Sequence, residues 1–291
     1  PNEKAGMSKD RYVGFETLEI GLIEARMAGG NFVLALEPKY REGLVKGDAK
    51  AVTAWENLGK SARWLNEHRG MMGLPTRPTI TMVVDEHEAT AEMALLAYRR
   101  GANPAIVSMD RIPAPQPGRI LAVMAGSLEK QPPEVQKKLW AHAQAGAFVA
   151  IDWKPNATWK EVKKQEDRTF YQVGKGQVVV YNETVMDPSE FALDVMDLIG
   201  YRKRPSRIWN ATAAIPLATE GPRAGEVVLQ VVNYGQPTRD EVQARVLGHY
   251  AKATFLSPNR AAETLRTYKR GLMTEVYMPR IERAGLVHFT A

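Results

Sequence analysis

One carboxylate in this sequence stands where enzymes often hold a catalytic acid. Glu37 closes the apolar run of "MAGGNFVLALEPKY" (residues 27–40), which reads as a buried strand with the acid at its exit. A carboxyl group at the C-terminal end of an enclosed strand is suited to acid–base or nucleophilic work. A second group of candidates lies further on, where parallel strands end: Asp85, Glu86, Asp110, Ser127, Asp152 and Trp153. Ligands of α/β sheets bind at such strand ends. Trp153 and Trp159 share a loop rich in Lys and Asn and are suited to stacking on a sugar ring, with Asp152 beside them as a polar contact. Each residue also has a plainer role. Glu37 can cap the strand end or pair with Lys39 or Arg41, Trp55 and Trp140 sit on apolar helical stripes, and Trp209 in "RIWNAT" can anchor the last region to the one before it.

Other chemistry is excluded by residue type. The chain has no cysteine, which removes disulfides, thiolate metal sites and thiol nucleophiles. The five histidines are far apart without ligand spacing, which argues against zinc. His142, beside Leu139 and Trp140, reads as a packed helix residue rather than a base. "AGSLE" around Ser127 lacks the second glycine of a nucleophile elbow. No phosphate-binding glycine loop occurs, "GKG" at 174–176 is a lone turn before a strand, and "DEHEAT" after the first sheet strand would repel phosphate. No flavin, nucleotide or metal cofactor is expected.

The elements that must hold these residues fall into three textures. In residues 1–76 an amphipathic helix with Leu18, Leu22, Ile23 and Ala25 stops at Gly29–Gly30. The strand "NFVLAL" follows, and then a helix capped by Asp48 that carries Val52, Trp55, Leu58, Ala62 and Leu65. One strand cannot bury itself, so this helix-strand-helix segment needs partner strands. In residues 77–204 strands at 79–85, 104–110, 119–126, 147–153 and 177–182 alternate with helices at 88–100, 133–144 and 188–198. That order predicts a doubly wound, mostly parallel sheet of the α/β class. The three prolines of 110–118 leave no room for a regular crossover helix. In residues 205–291 short runs such as "EVQARVLGHY" alternate apolar and polar residues between turns, the pattern of an antiparallel β-sandwich.

A length of 291 residues allows more than one core. The net charge of +6 is spread along the chain, and "YRKRPSR" at 201–207 reads as a solvated linker, so no nucleic-acid partner is expected. No run is long and apolar enough to span a bilayer, so no membrane partner is expected either. The first residues read like the middle of a domain.

Three stretches carry a resemblance. "ARMAGGNFVLAL" with "AVTAWENLGKSARWLNEH", then "HAQAGAFVAIDW" with "VGKGQVVVYN", then "VVNYG" with "MTEVYMPRIERAGLVHFT" resemble, in that order, the C-terminal part of glycoside hydrolases of the β-galactosidase type. The resemblance implies the end of a (β/α)8 barrel (1–76), a flavodoxin-like trimerisation domain that also resembles class I glutamine amidotransferases (77–204), and a small β-sandwich (205–291). It implies a carbohydrate substrate and homo-oligomers. Amidotransferase activity itself would need a cysteine that the chain lacks. Most barrel strands, with the acid/base and nucleophile of the family, would lie on an upstream segment or a second chain. Such enzymes need two carboxyl groups roughly 5–10 Å apart. Of Asp10, Glu16 and Glu19, only Asp10 lies in a loop able to join Glu37. The alternative is a non-catalytic assembly protein built from the same folds.

Overall fold

The structure, a computed structural model, describes residues 14–152, 158–183, 185, 187–200, 204–238 and 241–291. Among the described residues of 1–76, three α-helices stand in place of the expected helix-strand-helix. Helix α1 spans Thr17–Met27, α2 Pro38–Lys46 and α3 Ala49–Glu67. α1 ends where the glycines predict: Gly29 takes φ 81° and its backbone presses on Gly73, whose Cα would lie 2.7 Å from any Cβ added there. The Asp48 carboxylate caps α3 by accepting from the Ala51 amide at 2.9 Å. The strand expected at 31–36 does not form. Residues 30–37 have no regular structure, and Val33 is 86% exposed. A strand is held by ladder hydrogen bonds and by neighbours on both faces, and among the described residues no strand pairs with this segment. The unforeseen α2 follows from Pro38, whose fixed φ and missing N–H suit the first helical position.

The buried side of α3 is also rotated from the expected stripe. Leu58 and Leu65 are buried as expected, but the face is completed by Ala51, Ser61 and Trp64, while Trp55 remains 41% exposed. The cause is its neighbours. Trp64 and Leu65 join Ile23 and Met27 of α1 and, from the tail of the chain, Val228, Leu256 and Leu286.

The middle of the chain builds a seven-stranded sheet. In chain order its elements are β1 (Ile80–Val84), α4 (Glu88–Arg99), β2 (Ala105–Ser108), β3 (Ile120–Val123), α5 (Ala125–Leu128), α6 (Pro133–Ala145), β4 (Phe148–Ile151), β5 (Lys160–Lys164), β6 (Arg168–Val173), β7 (Gly176–Tyr181) and α7 (Pro188–Ile199). The strand order is β2-β1-β3-β4-β7-β6-β5. Pairings from β2 to β7 are parallel, and β6 and β5 add an antiparallel extension. α4 and α7 cover Met82, Ile120 and Ala122 on one side. Leu139 and Ala143 of α6 cover Val83, Leu121, Val149 and Val180 on the other. Burial on both faces explains why these strands read as continuous apolar runs. All five expected strands and three long helices form here; β5 and β6 were not foreseen. After β2 the proline-rich crossover makes only a short 3-10 turn at Met109–Arg111. It is tied down by His142, whose Nε2 lies 3.0 Å from the Pro113 carbonyl oxygen. Burial lowers the His142 pKa, which fits a packed neutral ring.

The remaining strands are β8 (Ser206–Trp209), β9 (Ala214–Glu220), β10 (Val227–Asn233), β11 (Val242–Leu247), β12 (Lys252–Ser257), β13 (Arg260–Leu265), β14 (Tyr268–Arg270), β15 (Met273–Met278) and β16 (Ala284–Thr290). They form a five-stranded antiparallel sheet, β13-β12-β16-β10-β9, and a four-stranded one, β14-β15-β11-β8. Leu229, Val231, Phe255 and Phe289 of the first meet Val242, Ala244, Val246 and Val276 of the second in one core. The other face of β10 is buried under α1 and α3 through Val228 and Val232. The stretch "ETLRTYKRG" splits into β13 and β14, which belong to different sheets. Arg77 joins the middle of the chain to its tail, donating to the Leu247 carbonyl (3.3 Å) and the Tyr250 hydroxyl (2.8 Å) and pairing with Glu220 at 3.3 Å. Among the described residues no helix is long and apolar enough to cross a membrane.

Candidate functional site

Glu37 occupies the N-cap of α2 with extended backbone (φ −60°, ψ 150°); its side chain is exposed and makes no cap hydrogen bond. Beside its segment lies an apolar hollow of about 300 Å³, walled by Leu22, Phe32, Leu34, Trp55, Leu58 and Ala62. Leu34 is 41% exposed. Phe32 fits against Gly21, where a Cβ would come within 2.9 Å of the ring. Tyr40 stacks on Phe15 at 4.5 Å and meets Trp55 edge-on at 6.4 Å, so aromatic contacts fix one rim. Trp55, expected in a core, therefore faces an uncovered surface.

The second carboxylate sought for Glu37 is not supplied by α1. Glu19 is buried and its Oε1 accepts from the Ser61 hydroxyl at 2.6 Å. Glu16 and Glu19 instead line a separate cleft of about 780 Å³ with Lys50, Asn57, Glu282 and Arg283, and Glu37 is not part of its wall. Asp10 lies outside the described residues.

At the carboxyl ends of the parallel strands, a polar knot surrounds Asp85. Its Oδ1 accepts from the His87 amide at 2.9 Å and the Thr90 hydroxyl at 3.1 Å, and Ser127 also hydrogen-bonds to it. Burial works to raise the Asp85 pKa, but the Ser127, His87 and Thr90 donors outweigh it and hold it below the usual carboxylate value. Ser127 thus gives its hydrogen to a carboxylate, while the His87 Nδ1 faces the Ala89 amide (3.4 Å), so the group is a helix-capping knot rather than a nucleophile with its base. A carboxylate with a depressed folded pKa adds stability above its unfolded pKa and loses it as pH falls through the folded value. Asp85→Ala is expected to cost about 1 kcal/mol at pH 7. Its deficit should shrink below about pH 4, as thermal melts across pH 2–7 would show. An equal deficit at every pH would contradict the assignment.

Asp152, at the end of β4, is only 2% exposed. Trp153 lies outside the described residues. Trp159 packs edge-on against Trp140 at 4.8 Å and near Tyr171 at 6.1 Å, over the core beside α6. The structure thus places Glu37 at the uncovered helical face and Asp152 and Trp159 beside the seven-stranded sheet, just after β4 and just before β5, and does not gather them in one pocket. Trp209 also departs from expectation: its ring lies on the outer face of the four-stranded sheet under the guanidinium groups of Arg207 and Arg245. The alternation of Gln243 and Arg245 with core residues was the only sequence signal of that face. Among the described residues, no three His, Asp or Glu side chains gather as metal ligands.

No protein-family model matches the sequence, and comparison with curated proteins finds no match. Solved structures do match. A catalytic mutant of a GH42 β-galactosidase from G. stearothermophilus aligns with a TM-score of 0.55 at 9% identity, over 82% of this chain and 44% of that one. α-L-Fucosidase isoenzyme 2 from Paenibacillus thiaminolyticus aligns with a TM-score of 0.58 at 8% identity, over 96% and 58% respectively. A rhamnosidase from Novosphingobium sp. PP1Y aligns with a TM-score of 0.51 at 14% identity, over 82% and 24%. This chain therefore spans 24–58% of the length of these three structures. At such identities the likeness is one of fold: the chain has a glycoside-hydrolase-like fold, with a mixed sheet flanked by helices and followed by antiparallel sheets.

Proposed function

We propose that this chain is the C-terminal portion of a glycoside-hydrolase-like, carbohydrate-active protein, with the catalytic carboxylates mainly on an upstream segment. In this reading residues 1–76 close a (β/α)8 barrel, 77–204 form a doubly wound, flavodoxin-like oligomerisation domain, and 205–291 form a β-sandwich. The observation that carries it is the uncovered apolar surface around residues 31–36. Val33, Leu34 and Trp55 are 86%, 41% and 41% exposed, and the chain between Gly30 and Glu37 has no strand partner among the described residues. Burying a side chain of this size contributes about 1.5–3 kcal/mol, so a barrel wall laid on this surface would be held firmly and would turn 31–36 into a paired strand. The fold likeness to glycoside hydrolases points the same way. Glu37 then borders the active site at the rim. The packing of Trp159 and the burial of Asp152 favour structural roles for both. Oligomer contacts are assigned to the sheet edge at β2, where Ile106 is 54% exposed.

The test compares the chain alone with the chain joined to its upstream segment. The joined protein is expected to hydrolyse members of a glycoside panel, and the chain alone to hydrolyse none. Amides of 31–36 should become slow to exchange only in the joined protein. Glu37→Gln in that protein should lower kcat/KM about tenfold, equivalent to roughly 1.4 kcal/mol. Full activity of the lone chain would overturn the assignment of the carboxylates, and unchanged exchange at 31–36 would overturn the docking.

A further inference from the structure

The cleft of about 780 Å³ at the start of α1 has no part in closing a barrel, and its wall is built from both ends of the described chain. α1 brings Glu16 and Glu19, one turn apart. α3 brings Lys50 and Asn57, two turns apart and therefore on one face of the helix. The turns that precede β13 and β16 bring Asn259, Glu282 and Arg283. These turn residues are already held in place. Asn259 Nδ2 donates to Glu282 Oε2 at 2.9 Å, and an Arg283 terminal nitrogen donates to the Gly235 carbonyl at 2.8 Å.

Glu19 anchors the wall. It is 6% exposed, and its carboxylate accepts a single hydrogen bond, from the Ser61 hydroxyl at 2.6 Å. No cation among the described residues pairs with it. Enclosing a carboxylate costs free energy unless hydrogen-bond donors replace the water it leaves. One neutral hydroxyl replaces little of that water, and the cleft that Glu19 lines is where further donors can come from. Asn57, half-buried on the same wall, has no hydrogen-bond partner among the described residues, and Lys50 has no acidic partner among them.

We propose that this cleft binds a neutral saccharide. Its wall carries three carboxylates against two cations, with two amides between them. A simple anion would meet Glu16, Glu19 and Glu282, and a simple cation would meet Lys50 and Arg283. A metal ion is not served either, since no three acidic or histidine side chains gather as ligands among the described residues. A sugar hydroxyl both donates and accepts, so a ring of hydroxyls can give hydrogen bonds to the carboxylates and take them from Lys50, Asn57 and Arg283. The volume falls within the range of small-molecule sites, roughly 300–1,000 Å³. Phe15, also in the wall, stacks on Tyr40 one turn along α2 from Glu37, so one aromatic pair separates the cleft from the strand-exit acid.

The test is calorimetric titration of the full chain with lactose, cellobiose and maltose, and with arginine and citrate as a cationic and an anionic control. At least one disaccharide is expected to bind, with little dependence on salt because the ligand is uncharged. Glu19→Gln keeps an oxygen for Ser61 and replaces an acceptor at the cleft by a donor. It should weaken binding about tenfold, as loss of a hydrogen bond to a charged group does, with an unchanged melting temperature. Lys50→Ala/Asn57→Ala removes two side chains that make no bond to other described residues, and should weaken binding by a similar factor without loss of fold. The proposal is overturned if no disaccharide binds, if both variants bind like the parent, if binding collapses as salt rises, or if arginine or citrate binds more tightly than every disaccharide. Titration reads the chain alone and the barrel assignment is read from hydrolysis by the joined protein, so either can fail without the other.

Discussion

Replacing Phe255 by alanine is expected to lower stability by about 3–5 kcal/mol, the range for a fully buried aromatic ring. Phe255 is 0% exposed between the two antiparallel sheets. Its environment has a feature that makes the expectation sharper. Gly285 on β16 has no side chain where the Phe255 ring passes, and a Cβ added there would lie 2.8 Å from Phe255 Cε2 and 3.3 Å from Cζ. The glycine and the ring are complementary halves of one packing solution. Gly285→Ala alone is expected to cost about 1–3 kcal/mol through overpacking. In the Phe255→Ala background the same methyl enters the vacated space and partly refills it. The double variant should therefore be more stable than the sum of the single changes, by about 1 kcal/mol or more. Urea melts of the four proteins would measure this. Additivity within about 0.5 kcal/mol would show that the ring is not what excludes a side chain at position 285.

Gly176→Ala is expected to destabilise the protein by at least about 3 kcal/mol. Gly176 opens β7 after the tight turn "VGKG", which docks beneath the C-terminal end of α6. Lys175 and Gln177 donate their amides to the Gln144 and Ala147 carbonyls, both at 3.1 Å. A Cβ at 176 would collide with the Ala147 carbonyl oxygen and lie 2.5 Å from that of Ala143. These are backbone atoms of the end of α6 and of the turn that leads from it into β4, and they cannot swing aside. Gly176 is not among the glycines with positive φ, so the expected loss is steric. Gly47→Ala separates the two causes. Gly47 has φ 72° with nothing within 4 Å of an added Cβ, so it should lose only about 1 kcal/mol through backbone strain. Equal melting shifts for the two variants would contradict the steric account. Thus the glycines of "GKG", legible only as a turn, have a packing reason that needs both elements in place.

Elements with their own punctuation were legible. Strands β1, β3, β4 and β7 are apolar runs between turn residues. α6 and α7 each carry Pro at the first turn, and α7 is capped by Asp187. Elements that depend on a neighbour were not. β5 consists of Lys160–Lys164 and is exposed along its whole length, so burial left no pattern in it; it is a strand because β6 offers it an edge. "NFVLAL" shows the reverse, an apolar run suited to enclosure with no enclosing strands among the described residues. α3 carries two apolar stripes, and only contact with α1 and β10 selects Trp64 over Trp55 for burial.

The candidate site divides in the same way. Residue types alone removed thiol chemistry, because the chain has no cysteine. They also marked the three textures of the chain, since periodicity and turn residues are local properties, but the strand that would have made Glu37 its exit acid does not form, and Glu37 is the N-cap of α2. Separation in space was beyond them. That Asp152 is buried, that Trp159 packs on Trp140, and that Arg245, Glu275, Arg270 and Trp209 converge on one surface depends on strand register and sheet order. Those are set by contacts between residues far apart in the chain, and only the folded protein brings them together.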